Sequence, residues 1–165
     1  NVEVTTATTI MALNIGYIPE FVKWKVEQGF KKINKWPLGA GGINMHFAYW
    51  PPQLNVKILP KEVKQEITEK YEKEFYPWLF KHWYKFTGIK ESSQKYHVNK
   101  AQWLNAPYGL KRFKGLIKFM NSEDWSARLP ETREYLNLVN KRRNWDDKFL
   151  KVFPLFEKVM REDKE

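Results

Sequence analysis

The chain predicts an α/β fold with parallel strands, and three observations carry that expectation. β-branched residues crowd the N-terminus (Val2, Val4, Thr5, Thr6, Thr8, Thr9 and Ile10), where an extended backbone accommodates two heavy atoms on Cβ better than a helix does. A second extended candidate, Ile43 to Tyr49, stops at Trp50-Pro51-Pro52, because proline donates nothing to a β-ladder. Between and after these segments the apolar spacing changes to that of helices. The resulting order, β-α-β-α-α-α, makes a helix-joined parallel pair the economical arrangement. Two strands alone form a barely stable sheet with open edges. The order therefore reads as the C-terminal part of a partial (β/α) barrel, followed by a mainly helical cap.

Element by element, the first strand runs into Leu13-Asn14-Ile15-Gly16, a turn signal. From Pro19 to about Phe30, the residues Phe21, Val22, Trp24 and Val26 fit a short helix, with Pro19 near its start and Gly29 near its end. Residues 34–42 are a Gly- and Pro-rich loop that lacks the Gly-Lys-Ser/Thr ending of a phosphate-binding loop. Leu54, Val56, Ile58 and Leu59 predict a short extended segment, and Pro60 opens a long helix. In that helix Val63, Ile67, Tyr71 and Phe75 recur at every fourth residue, and Pro77 is expected to kink or end it. An aromatic second segment follows from Trp78 to Gly88, then a loop with a short helix over residues 88–106. Leu110 to Met120 is a further amphipathic helix.

In the tail, Asn121 and Ser122 suit the closing of one helix and the capping of the next, with Glu123 and Asp124 placed where a helix N-terminus favours negative charge. Pro130 suits a first helical position. The block from Phe149 to Phe156 is too apolar to remain solvated and is expected to dock. Residues 1–60 thus read as late strands and helix of a partial barrel and residues 61–165 as a helical cap, one continuous and incomplete unit.

Composition narrows the function classes. A chain of 165 residues supports one core, and without cysteine it holds no disulfide. With 8 Trp, 8 Tyr and 11 Phe it is no disordered linker. The net charge of +10 points to a polyanionic partner or, more plainly, to the wet faces of lysine-rich helices. No apolar run approaches the roughly 20 residues that span a bilayer, so no membrane partner is expected. The first residues are polar and mixed, unlike a secretory leader. Asn1 in place of an initiator methionine fits a processed chain or a piece of a longer one.

Three blocks carry a resemblance. Thr8-Thr9-Ile10-Met11-Ala12-Leu13-Asn14-Ile15 with Tyr17-Ile18-Pro19-Glu20 is the first, and Met45 to Pro60 with Leu54-Asn55-Val56-Lys57-Ile58-Leu59-Pro60 is the second. The third is Met120-Asn121-Ser122-Glu123-Asp124, continuing through Leu129-Pro130 to Phe153-Pro154-Leu155. In this order they resemble the fifth strand, the sixth strand and the C-terminus of phage-type radical S-adenosylmethionine proteins with a twitch-type extension. The resemblance covers residues 2–70 and 115–156. It implies S-adenosylmethionine and a four-iron four-sulfur cluster, and a host-cell cytoplasmic setting. The cluster is held by a Cys-x3-Cys-x2-Cys loop, which must then lie in a missing N-terminal half or on a partner chain. By position the resemblance makes Thr6, Thr8 and Asn14 the cofactor-side candidates and His46, Tyr49 and Trp50 the substrate-side ones. Thr6 and Thr8 are equally explained as strand formers, and Asn14 as a turn residue bonded to local backbone.

Other constellations are weaker. His46, His82 and His97 share no ligand spacing, so no metal site is expected. Ser92-Ser93 stands in no nucleophile elbow. Glu66, Glu69, Glu72 and Glu74 alternate with lysines as salt-bridge dressing on one helix. An alternative reading is a basic, aromatic-rich nucleic-acid-binding or phage accessory interaction domain without catalysis; on either reading the charge favours nucleic acid or an acidic substrate as partner. Such a domain would use Lys81, Trp83, Tyr84, Lys85, Phe86, Lys111, Arg112, Phe113, Lys114 and the Lys141-Arg142-Arg143 run for stacking and phosphate contact.

Overall fold

A computed structural model describes residues 6–28, 43–87, 110–144 and 148–160. The fold is mostly helical and holds a small parallel sheet. Strand β1 (Thr6–Ile10) pairs in parallel with β2 (Ile43–Phe47), Thr6 opposite Ile43 and Ile10 opposite Phe47. Among the described residues these two strands are the whole sheet. Both strand expectations hold; β2 is two residues shorter than its predicted run, and the start of the first run, residues 2–5, lies outside the described residues. Successive side chains alternate between faces. Thr6, Thr8 and Ile10 therefore share one face with Met45 and Phe47, the face that carries the core; Ala7, Thr9 and His46 lie on the other and are exposed.

Helix α1 (Ile18–Glu27) follows a single 3-10 turn, Ile15–Tyr17, and has Pro19 in its first turn as expected. The segment after β2 differs from its prediction. Leu54 to Leu59 is two 3-10 turns, Pro52–Leu54 and Val56–Ile58, and not an extended strand. The alternation that suggested a strand is incidental, because Val56, Ile58 and Leu59 are all buried. A chain enclosed on every side needs no two-sided pattern. Asn55, 1% exposed, fixes the turns by accepting the Lys57 N–H at 3.0 Å and donating to the Ala48 carbonyl at 3.2 Å.

Helix α2 (Lys61–Lys70) does not end at Pro77. It passes through a π-helical turn, Tyr71–Phe75, into α3 (Tyr76–Thr87). Proline in a helix clashes with the carbonyl four residues back. Here the Tyr76 N–H reaches the Tyr71 carbonyl instead, five residues back, and the widened turn makes room for the ring. The helix bends further on, at His82, whose φ of −112° and ψ of 15° are not helical. Val63, Ile67, Tyr71, Phe75 and Leu79 are all buried. Tyr71 donates from its hydroxyl to the Ile15 carbonyl at 2.8 Å, and complete burial raises its phenol well above the ordinary value.

Helix α4 (Leu110–Met120) lays Phe113, Leu116, Ile117 and Met120 into the core, Phe113 edge-on to Phe75 at 4.9 Å between ring centroids. Such an aromatic pair adds about 0.5–1.5 kcal/mol beyond its buried area. Asn121 and Ser122 close this helix by donating to the Ile117 and Phe119 carbonyls. They do not cap the next turn, Ser126–Arg128. Asp124 does, accepting the Ser126 N–H at 2.9 Å. Helix α5 (Leu129–Arg143) has Pro130 in its first turn and ends on Asn144 in the left-handed region, φ 50°.

The C-terminal block docks as expected, through α6 (Lys148–Val152), a 3-10 turn at Pro154–Phe156, and α7 (Glu157–Met160). Phe156 and Val159 are buried, the Leu155 N–H donates to the Tyr17 hydroxyl at 3.0 Å, and Phe153 meets the Tyr17 ring at 5.4 Å. Val152 stays exposed. The predicted loops at 34–42 and 88–106 lie outside the described residues. No helix among the described residues is long and apolar enough to cross a membrane.

Candidate functional site

Functional residues in parallel α/β arrangements gather where the strands end, at their carboxyl side. In this chain that edge is built by two loops tied to each other. The Ala48 N–H continues the ladder by donating to the Ile10 carbonyl at 2.8 Å, and the Ala12 N–H donates to the Leu54 carbonyl at 2.8 Å. Thr132 of α5, fully buried, clamps the same loop through the Gln53 carbonyl at 3.0 Å.

An aromatic shelf stands on this edge. Phe47 at the end of β2 lies 4.1 Å from Phe119 between ring centroids, and Tyr49 meets Phe119 edge-on at 5.6 Å. Tyr49 and Trp50 are 65% and 83% exposed. Behind the shelf the Lys57 ammonium lies 4.5 Å from the Phe119 ring centroid and 5.1 Å from that of Trp125. It pairs with the Glu123 carboxylate, whose other oxygen accepts the Trp125 indole N–H at 2.9 Å. Lys64 completes the network, donating to the Lys57 carbonyl at 2.8 Å and the Glu123 carbonyl at 2.9 Å. Burial depresses the Lys64 ammonium; the Asp124 carboxylate opposes that shift and the Lys57 charge adds to it. An open groove beside this cluster is lined by Lys61, Lys64, Gln65 and Asn121 to Asp124.

The six predicted site residues do not converge. Asn14 is occupied by its own turn, accepting the Met11 N–H at 2.9 Å and donating to the Thr9 carbonyl at 2.8 Å. Thr6 and Thr8 lie on the core-side face, whereas His46 lies on the opposite, exposed face, so the threonines and the histidine do not line one cavity. The Thr6 hydroxyl oxygen is buried with no hydrogen-bond partner among the described residues. Tyr49 and Trp50 do sit together at the strand end. Lys57, Asn55 and Glu123 form a connected polar cluster, and sequence reasoning gave none of them a site role, placing Glu123 only at a helix N-terminus. The available signal was polar residues inside the apolar run Leu54 to Leu59, which a buried segment tolerates only when they are satisfied.

The acidic side chains of this cluster are already engaged. Glu123 is engaged by Lys57 and Trp125, Asp124 by Ser126, and His82 by the Trp78 carbonyl and ring. No group of three or more metal-ligating side chains occurs among the described residues. Comparison with protein-family models, curated proteins and solved structures finds no match. The basic–aromatic surface also needs one correction. Phe113 is fully buried against Phe75 and is unavailable for stacking on a base. The side chains of Trp83, Tyr84, Lys85 and Phe86 are not among those described.

Proposed function

We propose that this chain supplies the late strands and helical cap of a radical S-adenosylmethionine enzyme built on a partial α/β barrel. The supporting observation is the parallel pair itself. Two strands consecutive in sequence are adjacent, parallel and in register, and their second face, with Ala7, Thr9 and His46, is open. Parallel sheets are ordinarily covered on both faces and extended by further strands. A cysteine-bearing partner segment would extend this one and cover that face. It is a further support that the blocks Leu54 to Pro60 and Met120 to Asp124, separate in sequence and both part of the resemblance, join through Lys57 and Glu123.

The donor chemistry divides the implied cofactors. An iron–sulfur cluster needs thiolates and this chain has none, so its residues do not fit the cluster and no step through it follows. For S-adenosylmethionine, Thr6 fits as a buried hydroxyl open to a polar group, and Asn14 does not, since both its amide atoms are engaged. Tyr49 and Trp50 offer an aromatic surface for a substrate on this reading, and a substrate's identity does not follow from the fold.

The test is anaerobic co-expression with a Cys-x3-Cys-x2-Cys segment sought in the neighbouring coding region. The expected result is a stoichiometric complex with visible iron–sulfur absorbance, weakened when Thr9→Lys and His46→Lys charge the open face. The reading fails if no such segment exists. It also fails if the two do not associate while this chain alone sediments as a cooperatively melting monomer.

A further inference from the structure

The positive charge of this chain is segregated along it. On α2 and the π-helical turn, lysines alternate with Glu62, Glu66, Glu69, Glu72 and Glu74, and Lys73 is paired with Glu69 at 2.7 Å. From Ser92 to Ser122 the sequence holds Lys95, Lys100, Lys111, Arg112, Lys114 and Lys118 and no acidic residue. On α4 the outcome is visible. Lys111, Lys114 and Lys118 recur at helical spacing on one face, all exposed, and among the described residues no carboxylate pairs with them.

A second observation concerns the same face. Gly115 lies between Lys114 and Lys118, and a Cβ added there would meet nothing within 4 Å. Glycine inside a helix is unfavourable relative to alanine, and no packing inside this molecule calls for it. Its effect is a smooth stretch of helix backbone between ammonium groups, where an external group can come close.

We infer that this face of α4, Lys111, Lys114 and Lys118 around Gly115, binds the phosphodiester backbone of a nucleic acid. The inference does not rest on the radical-enzyme reading and extends beyond it. Lysine is a point-charge donor that contacts phosphate without reading bases, so the contact is independent of sequence. Along the helix axis Lys111 and Lys118 are about 10 Å apart, at a rise of 1.5 Å per residue. A duplex presents about one charge per 1.7 Å of axis, so several phosphates lie within that reach. A lipid surface is the competing polyanion. Membrane-surface helices insert an apolar face, and on α4 that face (Phe113, Leu116, Ile117 and Met120) is already buried in the core.

The experiment is fluorescence anisotropy of the full chain with a labelled mixed-sequence oligonucleotide, single-stranded and duplex, across a salt series. Co-sedimentation with phosphatidylserine vesicles runs beside it. The expected result is oligonucleotide binding that falls with salt. Changing Lys111, Lys114 and Lys118 together to Ala should shallow the log–log slope by about 2 to 3, at roughly 0.7 to 0.9 per phosphate contact. A charge-matched variant, Lys73→Ala with Lys151→Ala and Lys158→Ala, removes three exposed lysines from other elements and should change the slope less. Circular dichroism melts confirm that both variants fold. No oligonucleotide binding, equal effects of the two triple variants, or binding to vesicles alone would each overturn the inference.

Discussion

Lys57 and Glu123, 66 positions apart in sequence, are joined as an ion pair whose ammonium is enclosed by the Phe119 and Trp125 rings while its carboxylate stays half exposed. The asymmetry decides which half matters more. Removing the carboxylate strands a charge between two rings, whereas removing the ammonium leaves a carboxylate that water can solvate. Glu123→Ala is therefore expected to lower the melting temperature more than Lys57→Met. The double variant should recover most of the loss. Equal losses from the two single variants would show that the ammonium is not held as described.

Acid sensitivity follows from three carboxylates. Glu123 is held below its ordinary value chiefly by the hydrogen bond from Lys57, Asp124 by that from the Ser126 backbone, and Glu69 by that from Lys73. A carboxyl depressed in the folded state takes up its proton first in the unfolded chain. Stability from these groups is thus complete above their ordinary values of 4.5 for Glu and 3.8 for Asp, and is lost as pH falls through the depressed folded values. Glu123 and Asp124 are exposed and Glu69 is half exposed, so each contribution is small. Melting followed by circular dichroism should show a plateau above about pH 5 and a decline below it. Glu123→Gln should flatten part of that decline, and an identical acid limb would assign the loss elsewhere.

Asn55 is the polar residue on which the loop after β2 depends. Its replacement by Ala leaves the Ala48 carbonyl and the Lys57 N–H without partners in a buried site. The expected loss is about 2–3 kcal/mol by urea denaturation. Asn121→Ala takes an exposed bond to Thr68 and a part-buried one to the Ile117 carbonyl from a residue that water reaches, and should cost under about 1 kcal/mol. Similar values for the two would refute the burial argument.

Gly115 should respond in the opposite direction. With open space at its Cβ, Gly115→Ala is expected to stabilise the chain by about 0.5–1 kcal/mol. A destabilised variant would mean that the glycine has a structural role inside the fold.

Much of this architecture was legible in the sequence because it rests on local patterns. The β-branched run gave β1, the proline stop gave the end of β2, and the apolar face of α4 gave its orientation. The segment around Val56 misled for a physical reason, since alternation means a strand only where one face is wet. Pro77 misled because its penalty assumes a regular helix. The separation of Thr6 and Thr8 from His46 required the register, which strand patterns do not supply. Lys57 was invisible for a related reason: a lysine enclosed by aromatic rings and a carboxylate from a distant segment looks, in one dimension, like any surface lysine.

The turn at Tyr71–Phe75 also governs angular phase. An α-helix advances about 100° per residue, so a contact repeated at every fourth position drifts about 40° at each step. Val63, Ile67, Tyr71, Phe75 and Leu79 keep that interval and yet all remain inward. More residues fit into a π-turn, so its step runs backward and offsets the accumulated rotation. The single additional residue acts as a phase correction, and Phe75 and Leu79 depend on it together. Deleting Glu74 would remove the additional residue and let the turn close to a regular α-helix, which keeps Leu79 inward but returns the Pro77 ring to the carbonyl four residues before it. Deleting a residue from the regular turns of α2 would instead rotate one half of the rod against the other by about 100°.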